Sequence, residues 1–427
     1  MAAAGIVESA SESAAAEPLR SLTEASFDLY GTGLTLVSEV SSLIDSLTRD
    51  FAYFVAPAQP GAIRIACVYG NHQRVEFKLA NMADLRFYRM AEALARRGHD
   101  VDIVINLRSA PTLREPGLRE IPFSRVRWHE YDLIKTFFHR GFDSLAAEHG
   151  SDHPFIVSKL GSVVGPTDRE GVYFFGEIRE RLFRTQQALA RRSRVVTVLT
   201  NRSAVLWLGE HGANTNLYIV PTGVDAEIPP PRSNPYLARG ITEPVALFAG
   251  NLYARKDQPE INILWQDRLN RLGKALKTHG IRLVAMGTGQ TDYLDPEAVL
   301  HVGAVDAAQV WDWQRFAKAG IVLAQGQVQD NESSKIYYYL RTGLPVVCER
   351  PIPNRWLIEQ TGLGALVDYH NELALVDAAL SIASDPPHNR GVEQYMVENH
   401  SWDARAALYE PIIELAAAEA GRIRKWA

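Results

Sequence analysis

The chain is poor in cysteine and carries no large excess of charge of either sign. Its 427 residues include only Cys67 and Cys348, too few for a disulfide scaffold, and each ends an apolar run where a thiol acts as a small core side chain. No C-x-x-C or Cys/His spacing suited to zinc occurs, so no metal site is expected. Lys and Arg number 45 against 50 Asp and Glu, a formal net charge of -5. That balance supplies no basic field for nucleic acid, so any phosphate bound belongs to a small molecule. No run of about 18 apolar residues exists, which argues against a spanning helix. The first twenty residues hold Glu8, Glu12 and Glu17 where a secretory signal would place lysines and an apolar stretch, and they read as a disordered tail. The expected location is a reducing cytoplasm. Membrane contact would be peripheral, at the inner face, through the amphipathic segment Trp402–Trp426 with Arg422, Arg424 and Lys425 at its end; cations there are favoured by the helix dipole in any case.

What is present is ordinary globular content, 46% hydrophobic and 22% charged, over a length that allows two domains. Residues 21–60 read as a small α+β module, with a strand over Phe27–Val37, a helix over Ser41–Thr48 and a strand over Phe51–Ala56. From Ile63 onward short apolar runs alternate with helical patterns, the signature of parallel strands joined by crossover helices. Strands are predicted at Ile63–Tyr69, Val101–Ile105, Phe155–Ser158, Val195–Leu199 and Leu217–Val220, with helices at Met82–Arg97 and Tyr173–Arg192. Pro229, Pro230, Pro231 and Pro235 then mark a linker, since proline fits neither a central strand nor a helix interior. The alternation restarts at Val245–Ala249 and continues through Ile281–Met286, Val299–Val302 and Ile321–Ala324. The expected fold class is therefore α/β, with two doubly wound Rossmann-like domains facing across a cleft. The expected boundaries are 61–222 and 244–400, a linker at 223–243, and a C-terminal helix at 401–427 that crosses back to the first domain.

In such sheets ligands bind outside the carboxyl ends of the strands, so the loops after Tyr69, Ala249, Met286 and Ala324 matter most. The run Ser333-Ser334-Lys335-Ile336-Tyr337-Tyr338-Tyr339-Leu340-Arg341-Thr342-Gly343-Leu344-Pro345 has caps for a short helix, with Gly343 and Pro345 ending it. Lys335 falls in its first turn, where a cation opposes the macrodipole unless a bound anion compensates. After Ala249 come Gly250, Arg255 and Lys256; after Met286 comes Gly287-Thr288-Gly289. Glycine permits close backbone approach, and Arg with Lys neutralises a diphosphate. A G-x-G without a third glycine is not a dinucleotide fingerprint, which argues against an NAD-dependent dehydrogenase.

The order of these motifs resembles the GT-B glycosyltransferases of group 1, often called family 4. The resemblance covers residues 63 to 415 and rests on Ile219-Val220-Pro221-Thr222-Gly223-Val224-Asp225, similar to V-I-P-N-G-V-D; on Leu247–Lys256, similar to V-G-R-…-K-G; on Leu283–Gly289, similar to L-x-I-V-G-x-G; on Ser334–Val347, similar to S-x-K-L-x-E-Y-L-A-x-G-x-P-V-V; and on His400-Ser401-Trp402. It implies a nucleotide-sugar donor as substrate, with no cofactor and no metal, in polysaccharide or glycoconjugate synthesis. Lys256 and Lys335 would contact the donor diphosphate, with Gly250, Gly287, Gly289, Ser333 and Ser334 lining the nucleotide site. Asn251 replaces the arginine that usually follows the first loop glycine, so Arg255 would supply that charge. Asp330 and Tyr338 stand where the family places two carboxylates. Asp330 keeps an acid, with Glu332 as its rival, whereas Tyr338 offers the ribose a single hydroxyl.

The acceptor is not legible. His72, in the loop after Tyr69, and Asp168, in the turn-rich Gly165–Gly171 segment, are the candidates for a general base if the reaction inverts configuration. A retaining transfer in which the leaving phosphate assists requires neither. Two other classes fit the same pattern: a nucleotide-sugar 2-epimerase, and a non-catalytic sugar-nucleotide binding protein.

Overall fold

The structure is a computed structural model that describes residues 62–70, 79, 82–105, 112–147, 152–168, 174–212, 216–250, 252, 259–306 and 308–426, together with two short N-terminal strands. Those strands, β1 (Glu24–Phe27) and β2 (Leu34–Val37), pair antiparallel. The alternation over 27–37 predicts one strand; Gly31 and Gly33 fall between the two observed, and glycine weakens a strand interior. The helix expected at 41–48 and the strand expected at 51–56 lie outside the described residues.

A first sheet is built from β3 (Arg64–Val68), helix α1 (Met82–Arg96), β4 (Asp100–Ile105), β5 (Thr112–Glu115), β6 (Leu118–Pro122), β7 (Leu133–Phe137), α2 (Phe138–Ala147), β8 (Ile156–Lys159), α3 (Gly176–Arg192), β9 (Val195–Val198), α4 (Asn201–His211) and β10 (Asn216–Ile219). The strand order is β10-β9-β8-β7-β3-β4-β6-β5. Pairing is parallel from β9 through to β6, and β5 adds antiparallel at the edge. The order reverses between β3 and β7, which makes their carboxyl ends a topological switch point. Strand β7 carries Lys135 and Thr136 within its apolar run, which hides it from a hydrophobicity pattern; Lys135 is buried with its ammonium over the rings of Phe137 and Tyr409. Likewise β6 contains Arg119 and Glu120, both buried, with Arg119 making a two-bond ion pair to Asp102 on β4.

The second sheet comprises β11 (Val245–Ala249), α5 (Pro259–Thr278), β12 (Arg282–Met286), β13 (Val299–His301), α6 (Val310–Arg315), β14 (Ala319–Val322), α7 (Ser334–Arg341), β15 (Val346–Glu349), α8 (Trp356–Thr361), β16 (Gly364–Val367) and α9 (Glu372–Ser384). All six strands are parallel in the order β13-β12-β11-β14-β15-β16. Its switch point lies between β11 and β14. Leu269, Leu272 and Leu276 of α5 recur at helical spacing and pack with Leu283, Ile321 and Val347 into the core beneath. Three further helices, α10 (Val392–His400), α11 (Trp402–Ala407) and α12 (Glu410–Trp426), complete the chain. Among the described residues no helix is long and apolar enough to cross a membrane.

The chain divides into two compact units, one from Met1–Leu160, Thr185–Thr197 and Tyr409–Ala427, the other from Gly161–Arg184 and Val198–Leu408.

Candidate functional site

Helix α7 is fixed at both ends before any ligand is considered. The side chain of Ser333, its N-cap, makes no capping bond. Instead the Asn354 amide holds the Ser333 backbone on both sides, accepting from Ser333 N at 2.8 Å and donating to Ser333 O at 2.9 Å. Gly343 closes the other end in the left-handed region, at φ 68°. Between them Tyr339 is fully buried and packs directly on Gly320 of β14, where a Cβ would stand 2.3 Å from its ring. Its hydroxyl accepts from Ala249 N at 2.8 Å and donates to Leu247 O at 3.1 Å. One phenol therefore ties α7 to the carboxyl end of β11.

That tie sets Lys335 against Gly250. A Cβ built on Gly250 would lie 2.7 Å from Lys335 Cε and 2.9 Å from Nζ, so the lysine crosses the backbone of the β11 exit where a side chain would stand. The ammonium also lies 4.9 Å from the centroid of the Phe248 ring, a cation–π contact. The β12 exit joins the same edge. Gly250 N donates to Met286 O at 2.7 Å, Leu252 N to Thr288 O at 2.8 Å, and Gln290 N to Leu252 O at 3.1 Å. Gly289 has φ 136°, and a Cβ there would overlap Leu252 O, so only glycine lets the two loops pair this closely. Gly287, Gly289, Gly250 and Lys335 are thus brought together at the switch point.

The β14 exit is held by a buried ion pair that sequence reasoning missed. Glu349, at 0% exposure, accepts from Arg268 Nη2 at 2.5 Å, from Ala324 N at 2.6 Å and from His370 N at 2.9 Å, while Arg268 Nη1 donates to Ala324 O at 3.1 Å. Both backbone polar groups of Ala324 are therefore fixed before the loop leading to α7 begins. Within that loop, Gln329 accepts from Gln325 N at 3.0 Å and donates to Asn331 O at 2.6 Å. Asp330 is buried, and its carbonyl accepts from the hydroxyls of Thr200 at 2.6 Å and Ser203 at 3.1 Å. Glu332 is buried too. One of its oxygens accepts from Thr222 N at 2.6 Å and the other from Tyr337 Oη at 2.9 Å, which gives this carboxylate a bracing role.

Tyr338 is buried and stacked on Trp311, with centroids 5.4 Å apart and planes at 23°. Asp168 is exposed, and its carboxylate accepts from Arg179 Nε at 2.8 Å and Gly176 N at 3.2 Å at the start of α3. His72, Arg255 and Lys256 lie outside the described residues. Among those that are described, no group of three or more His, Cys, Asp or Glu is placed to hold a metal ion.

The motif residues at 219–225 and 400–402 also meet. Val224 N donates to His400 O at 2.9 Å, Trp402 N donates to Val224 O at 3.0 Å, and Arg405 Nε donates to Thr222 O at 3.0 Å. Burial, and then the Arg405 guanidinium whose Nη2 lies 2.5 Å from Nδ1, push the His400 imidazole down to about 4.

No protein-family model matches the sequence, and no curated protein matches it either. Solved structures do. Sucrose-phosphate synthase from Thermosynechococcus elongatus aligns with a TM-score of 0.59 at 15% identity, covering 86% of this chain and 100% of that one. Anabaena HepE in complex with UDP and glucose aligns at 0.58 and 13%, covering 83% and 100%. WaaG, a glycosyltransferase involved in lipopolysaccharide biosynthesis, aligns at 0.52 and 14%, covering 83% and 99%. The fold is GT-B. At these identities the likeness concerns backbone architecture, and the chain's own residues must carry any statement about chemistry. In GT-B terms, the glycine-lined edge of β11 and β12 with Lys335 belongs to the second of the two parallel sheets.

Proposed function

We propose that this protein is a nucleotide-sugar-dependent glycosyltransferase that works without a metal ion. The observation that carries the reading is Lys335 lying across Gly250 at the switch point of the second sheet, beside the paired glycine loop of β12. A cation held against the glycine backbone of the β11 exit suits the diphosphate of a sugar nucleotide, which needs neutralising as it departs. Lys256 and Arg255 of the loop after Gly250 would add charge, and Ser333 and Ser334 precede Lys335 at the helix N-terminus. The HepE structures, with UDP and glucose and with UDP-glucose, support a uridine donor as the first to test.

The acceptor is read to the carboxyl edge of the first sheet. There Phe138, a bulky residue, takes a left-handed φ of 60° at the β7 exit, the kind of strained conformation that clusters at active sites. Next to it Lys159, at the end of β8, lies 4.6 Å from the ring centroids of both Phe137 and Phe138. His72 is kept as the base of an inverting reaction, ahead of Asp168, whose carboxylate already serves α3.

Incubating the purified protein with UDP-, GDP- and ADP-sugars, with and without a panel of sugar acceptors and with EDTA present, tests this reading. Release of the nucleoside diphosphate that depends on acceptor and survives chelation is expected. Conversion of the free donor to an epimer would replace the reading, and loss of activity with EDTA would remove its metal-independent part.

A further inference from the structure

The second unit holds a cavity of about 480 Å³ that the donor site does not use, lined by residues of α4, of the Glu332–Tyr337 stretch and of the segment leading into α8. Its size falls within the roughly 300–1,000 Å³ usual for small-molecule sites. Its walls are set in advance. Glu332 is held by Thr222 N and Tyr337 Oη, Asn354 is bonded to Ser333 on both sides, and Arg202 Nη1 donates to Gln329 O at 3.0 Å and Pro351 O at 3.1 Å. At the rim Trp356 is 43% exposed, far above the other tryptophans among the buried and exposed residues of this unit.

The lining also sorts ligands by charge. Two cations, Arg202 and Arg355, face two carboxylates, Glu332 and Glu359, so the formal charges cancel and an ionic ligand gains no net field. What remains is an open aromatic ring beside amide and guanidinium groups. A pyranose presents one apolar face of C–H groups and a girdle of hydroxyls, which is the complement of such a surface. We propose that this cavity is a second carbohydrate-binding site, one that takes an uncharged sugar ring against Trp356, with hydroxyls directed to Arg202 and Glu359. The inference does not depend on the transferase reading, because occupancy by a neutral sugar and binding of a nucleotide are measured separately. Since Asn354 also holds the N-cap of α7, the sugar would sit one residue-contact away from the helix that carries Lys335.

Saturation-transfer NMR with methyl α-glucoside, N-acetylglucosamine, maltose and glucose 6-phosphate tests it on the full chain. Transfer to ring protons of at least one neutral sugar is expected, with affinity falling at least fivefold in Trp356→Ala and in Glu359→Gln, both exposed positions that leave the core intact. Saturating UDP should leave the signal in place. Adding UDP-glucose then separates the two sources of such a ring: consumption of the bound sugar identifies an acceptor, and persistence identifies an effector, either of which supports the site. Absence of transfer from every neutral sugar, a signal unchanged in both variants, or displacement by UDP would overturn the proposal.

Discussion

A methyl group at position 250 would press on the far end of Lys335, 2.7 Å from Cε and 2.9 Å from Nζ. Because that end is flexible, Gly250→Ala should displace the ammonium rather than unfold the chain. The expected outcome is a urea midpoint close to wild type and about tenfold weaker UDP binding by calorimetry, roughly 1.4 kcal/mol; a variant that binds UDP unchanged would disconnect Lys335 from the ligand. Lys335 was legible in the sequence because a cation in a first turn conflicts with the dipole and asks for a reason. Tyr339 was not, since a tyrosine nineteen residues after Gly320 gives no sign in sequence that its hydroxyl reaches the strand beside β14. A second residue-scale consequence concerns pH. Burial pushes the imidazoles of His139 and His400 down to about 4, Arg405 adding to the effect at His400 and the Gln186 bond opposing it at His139. Both stay neutral in the fold while the unfolded chain, with histidines near 6.5, takes up protons. The unfolded state binds more protons between these values, so stability is present above pH 6.5 and is lost as pH falls toward 4. His400→Gln should flatten that decline in urea midpoints measured from pH 7.5 to 4.5; an unchanged slope would show that His400 is protonated in the native state.

At the scale of elements, helix α7 is held by Tyr339 below, Asn354 at its start and Gly343 at its end, and the exit of β14 by the Glu349–Arg268 pair. These braces explain how an eight-residue helix can hold a charged side chain at a defined place, since a helix this short has little stability of its own. Tyr339→Phe removes the acceptor for Ala249 N–H and the donor to Leu247 O. Leaving such groups buried and unsatisfied costs about 1–3 kcal/mol, so urea unfolding should report a loss of that order together with weaker UDP binding. Loss of stability with UDP affinity intact would mean that the tie does not position the site. Strands β11, β12, β14 and β15 were readable as apolar runs between turn signals. Strands β6 and β7 were not, because Arg119, Glu120 and Lys135 are buried through partners elsewhere in the chain, Asp102, Arg114 and the Tyr409 ring, which no local pattern reveals.

Over the whole molecule, two parallel sheets built from alternating strands and helices were visible in the period of the hydrophobic residues, and the motif order assigns the proposed donor edge to the second. The assignment of segments to units was less visible. Gly161–Arg184 and Val198–Thr222 cluster with the second unit, although each adjoins in sequence residues of the first. Sequence periodicity reports which face of an element is buried, not which sheet buries it. The central claim, that the anion drawn to the second sheet is a sugar-nucleotide diphosphate held by Lys335, can be measured through linkage to folding. At UDP-glucose near 100 times its Kd, wild-type protein should gain about 2.7 kcal/mol of apparent stability in urea unfolding. In Lys335→Ala the same concentration should add almost nothing, and an undiminished gain in that variant would contradict the account.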